Sequence, residues 1–249
     1  MSHHGAPESP PIDVRERGAP RDGEPQTLDR RLFMQLLCFE CGPTLAPPDV
    51  VARLGARLQA ARMPSVIYED VNHPFALAVL SYSEDPADFV TKVRPAASDE
   101  SLVGLKLRPA LTMLGRTYST GFESDLPFWL IERPRQTVQN AAWNWAVWYP
   151  LRRKGAFERL EPKERGGILR EHGSIGKAYG DADLAHDVRL ACHGLDENDN
   201  EFVIGLVGKE LYPLSHVVQA MRRTRQTSEF MEQMGPFFVG RAVWRYAGG

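Results

Sequence analysis

A tyrosine stands where a run of tryptophans gives way to arginines. In WNWAVWYPLRRKGAF, from Trp143 to Phe157, three tryptophans and Tyr149 fall within seven residues, and Arg152 and Arg153 follow at once. Packing in a strand explains the tryptophans but not a phenol set beside guanidinium groups. Arg133 and Arg135 precede this segment, and Arg222, Arg223 and Arg225 lie further on. Each cluster alone fits a solvated face. Together they bracket one strand and a facing helix, and arginine is the side chain that binds carboxylates in bidentate fashion. A ligand with several carboxylates suits such a set.

His172, in LREHGSIGKAY, is the second group with chemistry in it. Ile168, Ile175 and Tyr179 stand at i−4, i+3 and i+7 from it, so a helix here carries His172 on its apolar face. A core histidine satisfies that pattern. Gly173 and Gly176 add something else, since glycine in a helix interior costs about 1 kcal/mol against alanine. Two of them beside the histidine suggest a flat or bulky group approaching the backbone. A neutral imidazole so presented could bind a metal or a haem iron. Nearby, HDVRLACHGLD alternates: Val188, Leu190 and Cys192 take one face, and Asp187, Arg189, Ala191 and His193 the other. That polar face lines either solvent or a polar pocket.

The elements that must position these groups repeat. RLFMQLLCFE reads as a strand, and PPDVVARLGARLQAARM as a helix with Val50, Val51, Leu54 and Leu58 at helical spacing. SVIYEDV and FALAVLSYS follow as two strands, DPADFVTKVRPAASDESL as an interrupted helix, and residues 110–123 as a strand. The same βαββαβ order returns with the tryptophan strand, a helix over 162–180, a strand pair around DENDN, a long helix over 213–234 and a last strand, PFFVGRAVWRY. The expected fold class is α+β: two tandem ferredoxin-like halves, 29–125 and 142–249, joined by a connector over 126–141 and packed sheet to sheet.

Composition excludes several alternatives. With 43% hydrophobic residues, 25% charged and a net charge of −2, the 249-residue chain has the makeup of a globular protein with no global field for nucleic acid. No apolar run approaches a membrane span. Residues 1–28, rich in proline, glycine and charge and carrying His3 and His4, read as a disordered tail without a signal-peptide pattern. Three cysteines fit a reducing, cytoplasmic setting. Cys38 and Cys41 form a CxxC, but no second pair completes a metal site, and they read as unpaired, partly buried thiols.

Four blocks in order, WYPLRRKG, LEPKERGGILREHGSIGKAYG, HGLDENDNEFVIGLVG and VVQAMRRTRQTSEFMEQMGPFFVG, resemble the chlorite dismutase family and its coproheme decarboxylase branch. The resemblance covers roughly residues 130–245 by motif and 30–125 by element order. It implies a dimeric α+β barrel of the two halves, assembled as a ring of five. It also implies a haem cofactor or porphyrin substrate, coproheme or haem b, with His172 as the proximal iron ligand. Tyr149 would be the residue that becomes a radical when hydrogen peroxide oxidises the bound group, and two propionates would lose carbon dioxide to give haem b. Tyr118, Arg133, Arg135, Arg153, Arg222 and Thr227 fall on propionate-binding positions. The sequence departs from the pattern on the other face of the haem. Decarboxylases often carry glutamine there; anchored on GLD, that position is Asp187, with Arg189 two residues on. Asp187 over the iron would be a base for peroxide. Arg189 over the iron would point to chlorite dismutase chemistry, chlorite to chloride and O2. A non-catalytic haem carrier or sensor of the same fold is the third reading.

Overall fold

The computed structural model describes residues 11–248. Ahead of the first repeat, β1 (Glu16–Arg21) and β2 (Glu24–Leu28) pair as a hairpin. The first half continues with β3 (Phe33–Glu40), α1 (Pro47–Ala60), β4 (Ser65–Asp70), β5 (Ala76–Ser83), a π-turn into α2 (Arg94–Ala97), β6 (Lys106–Leu107) and β7 (Met113–Arg116). A second π-turn leads into α3 (Arg133–Gln139). The second half comprises β8 (Trp145–Arg153), α4 (Pro162–Asp181), β9 (His186–Ala191), β10 (Phe202–Gly208), α5 (Leu211–Met221), α6 (Arg225–Phe230), β11 (Met231–Met234) and β12 (Phe238–Tyr246).

All strands but the first two join one antiparallel sheet of ten. β6 and β11 flank it. The others run β10–β9–β7–β3–β5–β4–β12–β8, and β10 also pairs with β8. The sheet therefore closes on itself as an α+β barrel, which removes the exposed edges that invite further pairing. Its interior is apolar: Leu36, Tyr68, Leu80, Trp148, Leu190 and Phe238 are at most 1% exposed. Gly205 makes room there, because a Cβ on it would stand 2.4 Å from the Trp148 ring. The helices cover the outside, α1 over the first half through Val50, Leu54 and Leu58, and α5 over the second through Leu214 and Val217.

Three expectations change. Residues 16–28, read as disordered tail, form the hairpin; Asp22 and Gly23 take φ of 54° and 85°, the left-handed pair of a tight hairpin turn. The hairpin is tied down where Ala19 N donates to the Glu123 carbonyl (3.0 Å) and Ser119 N to the Glu16 carboxylate (2.9 Å). His3 and His4 lie outside the described residues. The strand expected over 110–123 is only β7, because the Glu123 carboxylate accepts backbone N–H bonds from Thr120, Gly121 and Phe122 and holds that stretch as a loop. The connector is helical, as α3. The long helix over 213–234 breaks after Met221: α6 restarts at Arg225, and Met231–Met234 pairs with β8 as β11.

Cys38, Cys41 and Cys192 are free and buried. Among the described residues no three His, Cys, Asp or Glu side chains cluster as a metal site, and no helix is long and apolar enough to cross a membrane.

Candidate functional site

Strand register fixes which side chains meet on the outer face of the second half. Tyr149 of β8 lies opposite Ile204 of β10, and Ile204 lies opposite Arg189 of β9. The next row is Val147, Leu206 and Asp187. Directly opposed residues in a sheet share a face. Val188 and Leu190 therefore enter the barrel core while Asp187 and Arg189 face outward, as the alternation predicts. α4 lies over this face, begun by Pro162 in its first turn. Its Ile175 and Tyr179 pack against the apolar cluster that includes Tyr149, Leu151 and Leu206, and His172, three residues before Ile175, shares that stripe. Of the two glycines beside it, Gly173 is exposed with nothing within 4 Å of where a Cβ would stand, and Gly176 lies against the Met221 side chain, whose methyl would stand 3.4 Å from such a Cβ.

Asp187 is held between two arginines. Arg133 donates through Nη2 to its carboxylate at 2.7 Å and through Nη1 to its carbonyl at 2.9 Å. Arg189 Nε stands 3.0 Å from the other carboxylate oxygen. Burial works to raise the Asp187 pKa, but Arg189 and Arg133 outweigh it and hold the carboxyl below its ordinary range. Asp187 is thus an ionised bridge with both oxygens engaged. Tyr118, Trp129, Arg133 and Arg189 enclose a cavity beside it of about 20 Å³, room for roughly one water.

The tyrosines border the same ion cluster. Tyr149 is 6% exposed and stacks on Phe237 with ring centres 4.5 Å apart. Burial is the main reason its phenol pKa is raised; Asp187 adds to the rise and Arg222 opposes it. Tyr118 packs on Phe202 at 5.4 Å, and its phenol is likewise raised chiefly by burial, with Arg189 and Arg153 opposing. Arg153 follows Tyr149 on the same side of β8. It pairs with Glu201 and Glu158 and lies over the rings of Phe157 and Phe202, 4.3 and 4.9 Å from their centres.

The expected set does not all converge. Arg133 reaches Asp187, but Arg135, two residues on along the helix, points away and pairs with Glu84 at 2.9 Å. Arg152 alternates to the other side of β8, where it donates to the Asn198 carbonyl at 2.7 Å. Arg222 sits exposed at the end of α5, and Thr227 lies in α6.

Burial lowers the His172 pKa; Glu171 opposes that, and Arg189 and Arg153 reinforce it. The imidazole is accordingly neutral at pH 7. Its Nδ1 lies 3.1 Å from the hydroxyl of Thr224, a residue 1% exposed that the sequence pattern does not single out. Thr224 falls where the expected continuous helix breaks, and that break was its missing signal.

The family model described as chlorite dismutase matches residues 108–243, more than half of the chain. No curated sequence matches. A novel haem-binding protein from Thermus thermophilus superposes with a TM-score of 0.67 at 18% identity, covering 86% of this chain and 92% of that one. A variant of the chlorite dismutase from Candidatus Nitrospira defluvii, in complex with cyanide, gives a TM-score of 0.67 at 13% identity over 86% of this chain and 91% of its own. A further variant of that enzyme gives 0.65 at 13%, over 86% and 92%. At such identities the likeness is one of fold.

Proposed function

Because this chain belongs to the chlorite dismutase family, we propose that it is a haem-dependent oxidoreductase that decarboxylates coproheme propionates with hydrogen peroxide to give haem b. The observation that carries this reading is the placement of Tyr149. It is buried on the sheet face in one row with Arg189, under the helix that bears His172, beside an arginine-rich cluster.

The residues fit an iron porphyrin. A neutral, partly buried imidazole is a competent iron ligand. Gly173 is exposed and puts no side chain on α4 next to the histidine. Arg133, Arg153, Arg189 and Tyr118 lie around the face that carries Tyr149; the arginines are engaged with Asp187, Glu201 and Glu158, and a propionate carboxylate would take over one of those bonds. Arg135 and Arg152 are turned to other partners and are left out of the set. Arg222 follows α5, and Thr227 lies in α6 with its hydroxyl 3.4 Å from that of Thr224.

When bound, the iron porphyrin supplies one-electron oxidation driven by peroxide. Tyr149 would give up an electron and its phenolic proton to the oxidised group, and its phenoxyl oxygen would then take a hydrogen atom from the substrate's propionate chain. Loss of a second electron would release the carboxylate as carbon dioxide and leave a vinyl group. Each propionate consumes one peroxide and one proton and yields one carbon dioxide and two waters. The arginines hold the carboxylate while the low polarity around Tyr149 keeps its phenol protonated until it is oxidised.

Titration with coproheme, then peroxide, with mass analysis of the porphyrin, tests this. Loss of two carbon dioxide units is expected. Bound but unconverted coproheme would refute it. Arg189 motivates a second reading, since it shares a row with Tyr149 and is 41% exposed on the same face. A cation there would serve chlorite decomposition, which oxygen evolution from chlorite, abolished in Arg189→Ala, would reveal.

A further inference from the structure

Thr224 occupies the residue just before α6, where a threonine normally turns its hydroxyl onto the first backbone N–H groups of the helix. Here it makes no such bond. Its hydroxyl is 2.8 Å from the Met221 carbonyl oxygen and 3.1 Å from His172 Nδ1, with Thr227 Oγ1 more distant at 3.4 Å. A hydroxyl has one proton. A carbonyl cannot donate, so the 2.8 Å contact between two oxygens requires the Thr224 proton. Toward His172 the hydroxyl can then only accept, and Nδ1 must carry the hydrogen. Thr224 is 1% exposed, so solvent does not compete for these bonds.

We propose that Thr224 is the positioning residue of this site: through the chain His172 Nδ1–H to Thr224 Oγ1–H to the Met221 carbonyl, it fixes the imidazole tautomer and leaves Nε2 as the only nitrogen with a free lone pair. The assignment rests on the haem reading only for its purpose, which is to offer Nε2 to an iron. The chain uses the break between α5 and α6 for this. The Met221 carbonyl takes both the Thr224 backbone N–H, at 3.1 Å, and the Thr224 hydroxyl, one on each lone pair. The partner is neutral and is itself a donor elsewhere, so the imidazole gains orientation with little added negative charge. A carboxylate partner would give both.

The haem-free protein labelled with nitrogen-15 at its seven histidines gives the test, with His172→Gln used to assign the His172 resonances. Long-range nitrogen–proton correlations distinguish the two tautomers. Wild type and Thr224→Ser are expected to show the Nδ1–H form, and Thr224→Val a mixture of both. When haem is added, Thr224→Val is expected to bind about 10- to 100-fold more weakly than wild type, with serine restoring most of the loss. An Nε2–H tautomer in wild type, or an undiminished Nδ1–H form in Thr224→Val, overturns the assignment whatever haem does. A wild type that shows Nδ1–H but takes up no haem overturns the proposed function and leaves the assignment standing.

Discussion

Asp187→Asn separates two roles that one carboxylate could play. A base for peroxide needs an oxygen free to take a proton. In the structure one Asp187 oxygen accepts from Arg133 at 2.7 Å and the other faces Arg189 Nε at 3.0 Å. Asparagine keeps the shape, removes the charge and presents an amide donor to one of two arginine donors. Charge-assisted hydrogen bonds contribute about 1.5–3 kcal/mol when shielded, and exposed ion pairs about 0.2–1 kcal/mol. The Asp187 side chain is 35% exposed and its partners 23% and 41%, so the lower part of that span applies. The expected loss of stability at pH 7 is about 1–2 kcal/mol after screening by solvent. That lowers Tm by roughly 2–4 °C per kcal/mol in a chain of this size.

The pH dependence carries the sign. Asp187 titrates lower in the folded protein than in the unfolded chain, so its contribution is present above the unfolded carboxyl value of about 3.9. It is lost as pH falls through the folded one. The gap between wild type and variant should hold from neutrality to about pH 4 and close only below it. Urea denaturation across pH measures this, and peroxide turnover of bound coproheme is read on the same samples. A positioned general base contributes about 10²- to 10⁴-fold. Turnover within a few-fold of wild type with reduced stability is the expected pair of results. A hundredfold loss of turnover at unchanged stability would refute the reasoning and restore Asp187 as a base.

Tyr149→Phe keeps the stack on Phe237 and removes only the hydroxyl, so coproheme should still bind while its conversion by peroxide is lost; full conversion would remove the radical role. Haem affinity should be flat above about pH 6.5, because His172 titrates below that ordinary value, and should fall in acid as the proton competes for Nε2. The same depressed value makes the His172 contribution to folding complete above about 6.5 and lost toward acid, where the unfolded chain takes up the proton first. Absorbance titration between about pH 5 and 8 checks the binding limb. Gly205→Ala drives a methyl to 2.4 Å from the Trp148 ring and should cost about 1–3 kcal/mol in chemical denaturation, an overpacking penalty that a smaller residue in place of Trp148 would relieve.

Side-chain period and strand order carried much of this architecture in plain sight. The alternation in HDVRLACHGLD placed Asp187 and Arg189 together on one face because a strand has only two faces. The helical stripe through Ile168, His172, Ile175 and Tyr179 aimed the histidine inward for a similar reason. Periodicity does not encode partners. Arg133 and Arg135 are two residues apart and look equivalent in sequence, yet a helix separates them by about 200°, and one meets Asp187 while the other meets Glu84. Composition misled at the amino terminus. Asp22-Gly23 is a hairpin signal by itself, but proline and charge around it read as disorder, and the anchors that make the hairpin worthwhile come from Ser119 and Glu123, far along the chain.

The break at Thr224 shows the limit from the other side. The sequence around it favours helix, and nothing local forbids one. What ends α5 there is a set of competing demands: β11 must reach β8, and the Thr224 hydroxyl is engaged between the Met221 carbonyl and His172, a residue fifty-two positions earlier. Helix propensities differ by less than about 1 kcal/mol per residue, and a strand pairing with a buried hydrogen bond is enough to override them. A local rule that fails beside the one histidine on the inward stripe of α4 therefore marks where tertiary contacts, rather than propensity, set the backbone, and it does so at the site itself.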